Sequence, residues 1–336
     1  MSIFKNKSIL VTGGTGSFGK EFIKNILTKE DPKKVIVYSR DELKQYEMEN
    51  TLNDSRMRFF IGDVRDSDRL VDACENVDVI IHAAALKQVI SSEYNPMECI
   101  KTNILGAQNI INAAIKNKVK TTLALSTDKA ANPINLYGST KLASDKLFIA
   151  ANNIIGSKDI KFSIVRYGNV LGSRGSVLNL FRDLIKKGKN KLPITDDKMT
   201  RFIITLDEGV NFVKDVICKM KGGEIFIPKL PSIKIIDMAY ALSNNVEIEI
   251  IGIRPGEKLH EVLCPKESNH LTIEFNKHFI IKPSIQIIHN YDYYKDLIGE
   301  TGTNVNKDFE YISNINDHWL DKNDIQNLIK KSSNEF

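Results

Sequence analysis

Tyr137 and Lys141 lie four residues apart, so in a helix they share one face. An ammonium beside a phenol favours the phenolate, so the lysine would lower the tyrosine pKa toward that of a working base. The spacing alone is weak evidence, because long charged side chains mostly line solvated helix faces. Its weight comes from what precedes it. Residues 123–126 are a short apolar run ending in small polar residues, and Thr127, Asp128 and Lys129 follow directly. Such a run reads as a buried parallel strand whose carboxyl end opens onto a site. A loop containing Pro133 then leads into a helix that starts near Tyr137.

Other elements must hold these groups, and the chain supplies them. Residues 8–12 form an apolar strand, followed by Gly13, Thr15, Gly16, Ser17, Phe18 and Gly19 and then by a helix. The Gly-x-x-Gly-x-x-Gly spacing is a close variant of the dinucleotide fingerprint. Its physics is a tight turn, close backbone approach to a pyrophosphate, and amides at a helix N-terminus. Placed between strand and helix, the loop is expected to bind a cofactor. The second strand, 35–38, ends in Ser39 and Arg40. A hydroxyl and a guanidinium suit a ribose 2′-phosphate, which favours NADP, while neighbouring Asp41 leaves NAD open. A third strand, 59–61, runs into Gly62, Asp63 and Val64, and a fourth, 79–81, into His82, Ala83, Ala84, Ala85, Leu86 and Lys87. The three alanines let backbone lie flat against a cofactor, or pack a helix tightly on the sheet. His82 reads as a structural hydrogen-bonder rather than a base. Residues 97–117 read as one long helix carrying Asn103, 138–151 as another, and 162–165 as a further strand.

The totals bound the rest. At 336 residues the chain is long enough for one large α/β unit or two modest domains. Hydrophobic residues make up 42% and charged residues 26%, an ordinary globular balance. The net charge of +5 comes from scattered lysines, not a basic block, so no nucleic-acid partner is expected. Cys74, Cys99, Cys218 and Cys264 are too far apart in sequence to form a metal-ligand or redox pair, and no metal site is expected. The N-terminal residues lead straight into a strand, without a charged-then-apolar signal segment. No apolar run approaches the ~18 residues that would span a bilayer. A cytoplasmic protein without a membrane partner is expected.

The glycine loop, the Thr127-Asp128-Lys129 triplet and Tyr-Gly-Ser-Thr-Lys at 137–141, in that order, resemble the extended short-chain dehydrogenase/reductase superfamily. Within it they are similar to the inverting UDP-N-acetylglucosamine 4,6-dehydratases of the pseudaminic acid pathway, and the resemblance runs nearly end to end. It implies a lyase that acts on UDP-N-acetylglucosamine with NADP lent and returned. Tyr137 would take the proton of the sugar 4-hydroxyl, with Thr127 bonded near that oxygen. Lys141 would orient the nicotinamide ribose, so Tyr137 and Lys141 also touch the cofactor. Asp128 would protonate the departing C6 hydroxyl. Lys129 stands where retaining dehydratases carry the glutamate that removes the C5 proton. A lysine can do this only when neutral. Burial and the charge of Lys141 pull its pKa down and a substrate diphosphate pulls it up, and the alternative is a lysine that merely pairs with Asp128.

The resemblance also assigns Asp63 and Val64 to the adenine, Lys87 to the substrate side, and Asn169 to a substrate phosphate. Residues 192–195 look like a uracil pocket and Arg201 like a pyrophosphate clamp. Arg254 is expected on the diphosphate and Glu257 on ribose hydroxyls. The helices 97–117 and 138–151 pair with a second subunit in relatives, or else face only their own sheet. The former implies a homo-oligomer built on a dimer, up to a hexamer. The expected fold is α/β, a doubly wound parallel Rossmann-like sheet with a smaller C-terminal substrate-binding lobe. The division is residues 1–170 for NADP and 171–336 for the UDP-sugar, with later segments rejoining the first unit. Residues 285–336 carry no visible chemistry, although 324–329 has an amphipathic pattern that should pack. The competing readings are a related 5-inverting dehydratase or epimerase of capsule or O-antigen synthesis, a UDP-sugar 4-epimerase, and an NADP-binding regulator without turnover. Tyr137 argues against the capsular dehydratase type, and the Asp-Lys pair against a 4-epimerase.

Overall fold

The computed structural model describes residues 3–243, 245–287 and 290–333. Six strands form a parallel sheet: β1 (Ser8–Thr12), β2 (Lys34–Ser39), β3 (Met57–Ile61), β4 (Val79–His82), β5 (Thr121–Thr127) and β6 (Lys161–Tyr167). Their order is β3-β2-β1-β4-β5-β6. β1 and β4 are buried along their whole length, as strands covered on both faces by helices must be. The crossover helices are α1 (Ser17–Lys29), α2 (Glu42–Leu52), α3 (Ser67–Ala73), α4 (Val89–Tyr94), α5 (Pro96–Ile100), α6 (Gly106–Lys116) and α7 (Leu136–Ile154). The strand order reverses between β1 and β4, and sheets of this kind bind ligands at that switch point, beyond the carboxyl ends of the strands.

The chain then builds a second layer over those strand ends. It contains β7 (Asn169–Val170), α8 (Val177–Lys186), β8 (Lys191–Ile194), β9 (Thr200–Ile204) and α9 (Leu206–Lys219). β10 (Ile225–Pro228) returns to the main sheet and lies parallel to β6. β11 (Ser232–Lys234), α10 (Ile235–Leu242), β12 (Glu247–Ile250) and β13 (Val262–Cys264) follow. The main sheet is extended antiparallel by β14 (Thr272–Glu274), β15 (His278–Ile281) and β16 (Thr303–Asn304) in the order β10-β15-β14-β16. β17 (Tyr311–Ile312) pairs with β13, and α11 (Lys322–Ser333) ends the described chain. The amphipathic pattern at 324–329 does pack: Ile325 and Ile329 are buried in a cluster with Leu171, Leu178, Met238 and Ala241.

The helix expected over 97–117 differs in one feature. α5 and α6 are joined by a π-turn at Lys101–Leu105 that contains Asn103. Wide turns of this type commonly sit at functional sites. Here Gly106 ends the turn against Val64, and a Cβ at that glycine would lie 2.8 Å from Val64 Cγ2. The Asn103 carboxamide accepts from Leu86 N at 2.8 Å and donates to Leu86 O at 2.9 Å and Thr140 Oγ1 at 3.0 Å. The turn thus pins the loop after β4 to α7.

Candidate active site

The first wall of the site is the loop between β1 and α1. Gly13 has φ +64°, and a Cβ there would meet Ala84 N at 2.9 Å, so Gly13 and the alanines are pressed together. Gly19 is locked against Gly14, whose Cα would lie 2.6 Å from a Cβ at Gly19. α1 starts at Gly16 without a side-chain cap, which leaves its first-turn amides free for an anion. These are the requirements of a pyrophosphate cradle, and the residues fit a dinucleotide. At the end of β2, Gln45 Nε2 holds Ser39 through its carbonyl and hydroxyl, each at 3.1 Å. Arg40 is half exposed and reaches Asp63 at 3.4 Å. Asp41 caps α2, accepting from Lys44 N at 3.0 Å and pairing with the Lys44 ammonium. Burial lifts the Asp63 carboxyl, but hydrogen bonds and charge from Arg65, with Arg40 beyond, outweigh it and hold the pKa low. His82 is buried and bonded to Thr12 Oγ1 at 2.8 Å; burial and Lys141 push its pKa down to about 3, so it stays neutral, as a structural residue would.

The second wall is the end of β5 and the start of α7. Asn135 caps α7, accepting from Gly138 N at 2.7 Å, and its amide donates to Gly256 O at 2.7 Å. Gly138 is required because a Cβ there would lie 2.1 Å from Lys129 O. Tyr137 and Lys141 are both buried. Lys141 Nζ donates to Leu125 O at 2.8 Å, and desolvation lowers its pKa against the opposing pull of Asp145. Burial pushes Tyr137 up to about 12, and the cation that opposes this is Lys129, with a hydrogen bond to Thr127. The sequence expectation gave that tuning role to Lys141. Beneath them Asp145 accepts from Ser126 Oγ at 2.8 Å and Arg166 Nη2 at 3.1 Å, all buried.

Lys129 is the centre of a charge cluster. Its ammonium donates to Asp128 Oδ1 at 3.0 Å and lies 3.3 Å from Glu261 Oε1. Asp128 Oδ1 also accepts from Thr127 Oγ1 at 2.8 Å. Desolvation pulls the lysine down, but Asp128 and Glu261 together hold it above the ordinary lysine range. The opposing cation here is Arg201, not Lys141. Asp128 Oδ2 and Glu261 Oε2 are buried without a hydrogen-bond partner among the described residues.

The third wall is the layer above. Arg254 is half exposed and grips Glu257 with two bonds of 2.6 and 3.0 Å. Glu257 also accepts from Thr195 Oγ1 at 3.0 Å, so the segment 192–195 and the turn at 254–257 are tied together. Burial would raise the Glu257 pKa, but Arg254 and Thr195 keep it low. Lys87 donates to Arg174 O at 3.0 Å, and its pKa is lowered by burial and then by Lys129. Arg201 differs from the free clamp expected of it. It sits in the fully buried strand β9 and donates to the carbonyls of Thr200 at 2.7 Å, Leu259 at 3.1 Å and Lys258 at 2.9 Å. It also lies 3.7 Å from Glu261 and 3.8 Å from Glu257. Its first task is to fix the 257–261 segment.

These walls enclose one cavity of about 1000 Å³. Thr127, Asp128, Lys129, Tyr137, Lys141, the loop residues Gly13, Thr15, Gly16, Ser17, Phe18 and Gly19, Ser39, Arg40, Asp63, Val64, Ala83 to Ala85, Lys87, Asn169, Arg201, Arg254 and Glu257 all line it. Sequence reasoning missed Glu261 and Asn135, which line it too. Among the described residues no cluster of His, Cys, Asp and Glu is arranged to hold a metal, and no helix is long and apolar enough to cross a membrane.

Residues 9–283 match the family described as polysaccharide biosynthesis protein. An inverting UDP-N-acetylglucosamine 4,6-dehydratase from Campylobacter jejuni subsp. jejuni serotype O:23/36 (strain 81-176) is 55% identical over 328 residues, which are 97% of this chain and 98% of that one. A UDP-glucose 4-epimerase from Rickettsia prowazekii (strain Madrid E) is 44% identical over 273 residues, 79% and 80% of the two chains. Among solved structures, Pen from Bacillus thuringiensis matches with a TM-score of 0.89 at 37% identity, covering 98% and 99% of the two chains. The chain therefore belongs to the polysaccharide biosynthesis protein family and is similar over nearly its whole length to an inverting UDP-N-acetylglucosamine 4,6-dehydratase.

Proposed function

We propose that this protein is a cytoplasmic UDP-N-acetylglucosamine 4,6-dehydratase that inverts C5. Its product would be UDP-2-acetamido-2,6-dideoxy-β-L-arabino-hex-4-ulose, made for pseudaminic acid. The observation that carries the reading is the placement of Lys129 beside Asp128 on the cavity wall that also presents Tyr137. The whole-length similarity to the Campylobacter jejuni dehydratase supports the same substrate.

The cradle at Gly13–Gly19 would hold a nicotinamide dinucleotide, which supplies the hydride acceptor for C4 and returns the hydride to C6. Ser39 and the half-exposed Arg40 favour a 2′-phosphate, hence NADP, since Asp41 is engaged as the α2 cap. Tyr137 receives the 4-hydroxyl proton in its phenolate form, and the Thr127 hydroxyl, which donates to Asp128 in the free protein, turns to the same oxygen when the sugar is bound. A ketone at C4 acidifies the C5 proton, which passes to Lys129 in its neutral form. Transfer of the proton from the Lys129 ammonium to Asp128 gives both the neutral lysine and a protonated Asp128, which passes that proton to the C6 hydroxyl as it leaves as water. Oδ2, without a partner among the described residues, is the free oxygen for that task. The enolate left once the hydride reaches C6 takes a solvent-derived proton on the opposite face of C5. Arg254, with Lys87 and Asn169, faces the diphosphate, Glu257 the ribose, and Arg201 holds the turn that carries them. The protein should act as a dimer or larger assembly. Met97, Leu105 and Ile154 on the helices expected to pair are all at least half exposed in the single chain.

The test is to incubate the protein with UDP-N-acetylglucosamine and follow a new keto sugar. Formation of UDP-N-acetylgalactosamine instead would favour the epimerase reading, and no reaction with either would remove the proposal.

A further inference from the structure

Glu261 is given no role by the sequence motifs, yet it has the features of a working group. It ends the segment 254–261, and its backbone N–H is fixed by Ser313 Oγ at 3.0 Å. The side chain is 2% exposed, lines the cavity, and places one oxygen 3.3 Å from Lys129 while the other has no hydrogen-bond partner among the described residues. A buried carboxylate is costly unless paired, and its partners here are Lys129 and, at 3.7 Å, Arg201. Arg201 is itself anchored on three carbonyls, so it fixes Glu261, and Glu261 in turn fixes the ammonium. The arrangement is base, orienting carboxylate and third supporting group, the order in which an activated acid-base residue is usually built.

We propose that Glu261 is a positioning residue for the C5 proton transfer: it holds Lys129 in place and strengthens it as the base. This rests on the dehydratase reading above. Lys129 faces Asp128 on its own turn, Glu261 and Lys258 from the 254–261 segment, Arg201 from β9, Lys87 from the loop after β4, and Tyr137 from α7. Of the two carboxyl groups, Asp128 must take up a proton to act as the acid. Burial raises the Glu261 pKa, while Lys129 and Arg201 pull it down; paired with these two cations, Glu261 is the carboxylate left to stabilise the ammonium as it forms.

Removing an anion beside an ammonium lowers the lysine pKa, so the neutral base forms at lower pH. Because Lys129 must be neutral while Asp128 is protonated, kcat/KM in the wild type should stay level from neutral to alkaline pH and fall only above the lysine pKa. In Glu261→Gln that fall should begin at a pH lower by roughly one to three units. Its ceiling should also be lower, because a weaker base accepts the C5 proton less readily. UDP affinity by calorimetry should be unchanged. Glu261→Asp keeps the charge but draws it back, and its profile should fall between the two; it decides the question if the glutamine variant does not fold. Profiles that coincide with wild type apart from a uniform scale factor would overturn the proposal and leave the dehydratase reading intact. A wild type that makes no keto sugar would overturn both.

Discussion

In the proposed reaction the protonation of Lys129 sets the chemistry of the site. Asp128 and Glu261 hold it as an ammonium, above the usual lysine range, so the base form is scarce at neutral pH. Lys129→Ala should abolish elimination and leave NADP binding intact, because the glycine cradle is built between β1 and α1 and Lys129 sits between β5 and α7; calorimetry with NADP checks the second half. Arg254, proposed for the diphosphate, is half exposed, lines the cavity and is paired with Glu257. Loss of a charge-assisted bond to phosphate costs about 1.5–3 kcal/mol, so Arg254→Ala should weaken UDP binding by roughly one to two decades. Unchanged UDP binding would take Arg254 out of the site. Arg201→Ala should act differently, through stability: it leaves Glu261 short of a partner and the 258–259 carbonyls without their donor. The loss should be on the order of 3 kcal/mol and visible as a lower Tm. The sequence carried a hint of this. Arg201 stands directly before the apolar run Phe202-Ile203-Ile204 and after Met199 and Thr200, and an arginine in a buried strand must find acceptors nearby. Glu261 left no such hint, because its partner Lys129 is brought to it only by the fold.

At the scale of elements, the start of α7 joins the two layers. Asn135 caps the helix and holds Gly256, Glu93 accepts from Leu136 N at 2.6 Å, and Lys258 Nζ donates to Ala131 O at 2.6 Å. Asn135→Ala should cost about 0.5–2 kcal/mol as a lost cap. Because it also releases the turn that carries Arg254 and Glu257, it should raise KM for the nucleotide sugar as well as lower Tm; a fall in Tm with unchanged KM would show that the cap and the turn are independent. The glycine loop was legible in the sequence as a strand-turn-helix unit because every requirement is local. The end of β5 was legible for the same reason, its apolar run stopping at the reactive triplet. The π-turn at Lys101–Leu105 was not, since periodicity shows a helix on either side and nothing in the residue types marks the widened turn.

At the scale of the molecule, the parallel sheet does not end with the sequence-contiguous cofactor half. β6 is covered on its outer edge by β10, and β15, β14 and β16 continue from there. A fragment ending at residue 170 would expose the β6 edge and lose α9, which packs on α1. It should not fold into a cofactor-binding unit, and circular dichroism with NADP titration of the fragment would show this. The same return explains why a boundary in the sequence was hard to place: β10 is four residues long and reads as an ordinary strand, with nothing to say which sheet it joins.

The most direct test of the account is the stereochemistry at C5. In deuterated water, proton NMR during turnover should show, from the earliest time points, the L-arabino 4-keto sugar carrying deuterium at C5. That is the outcome of a proton taken by Lys129 and replaced from the opposite face. A D-xylo product with no inverted form at the earliest time point would contradict the assignment of Lys129 as the group that makes this an inverting enzyme.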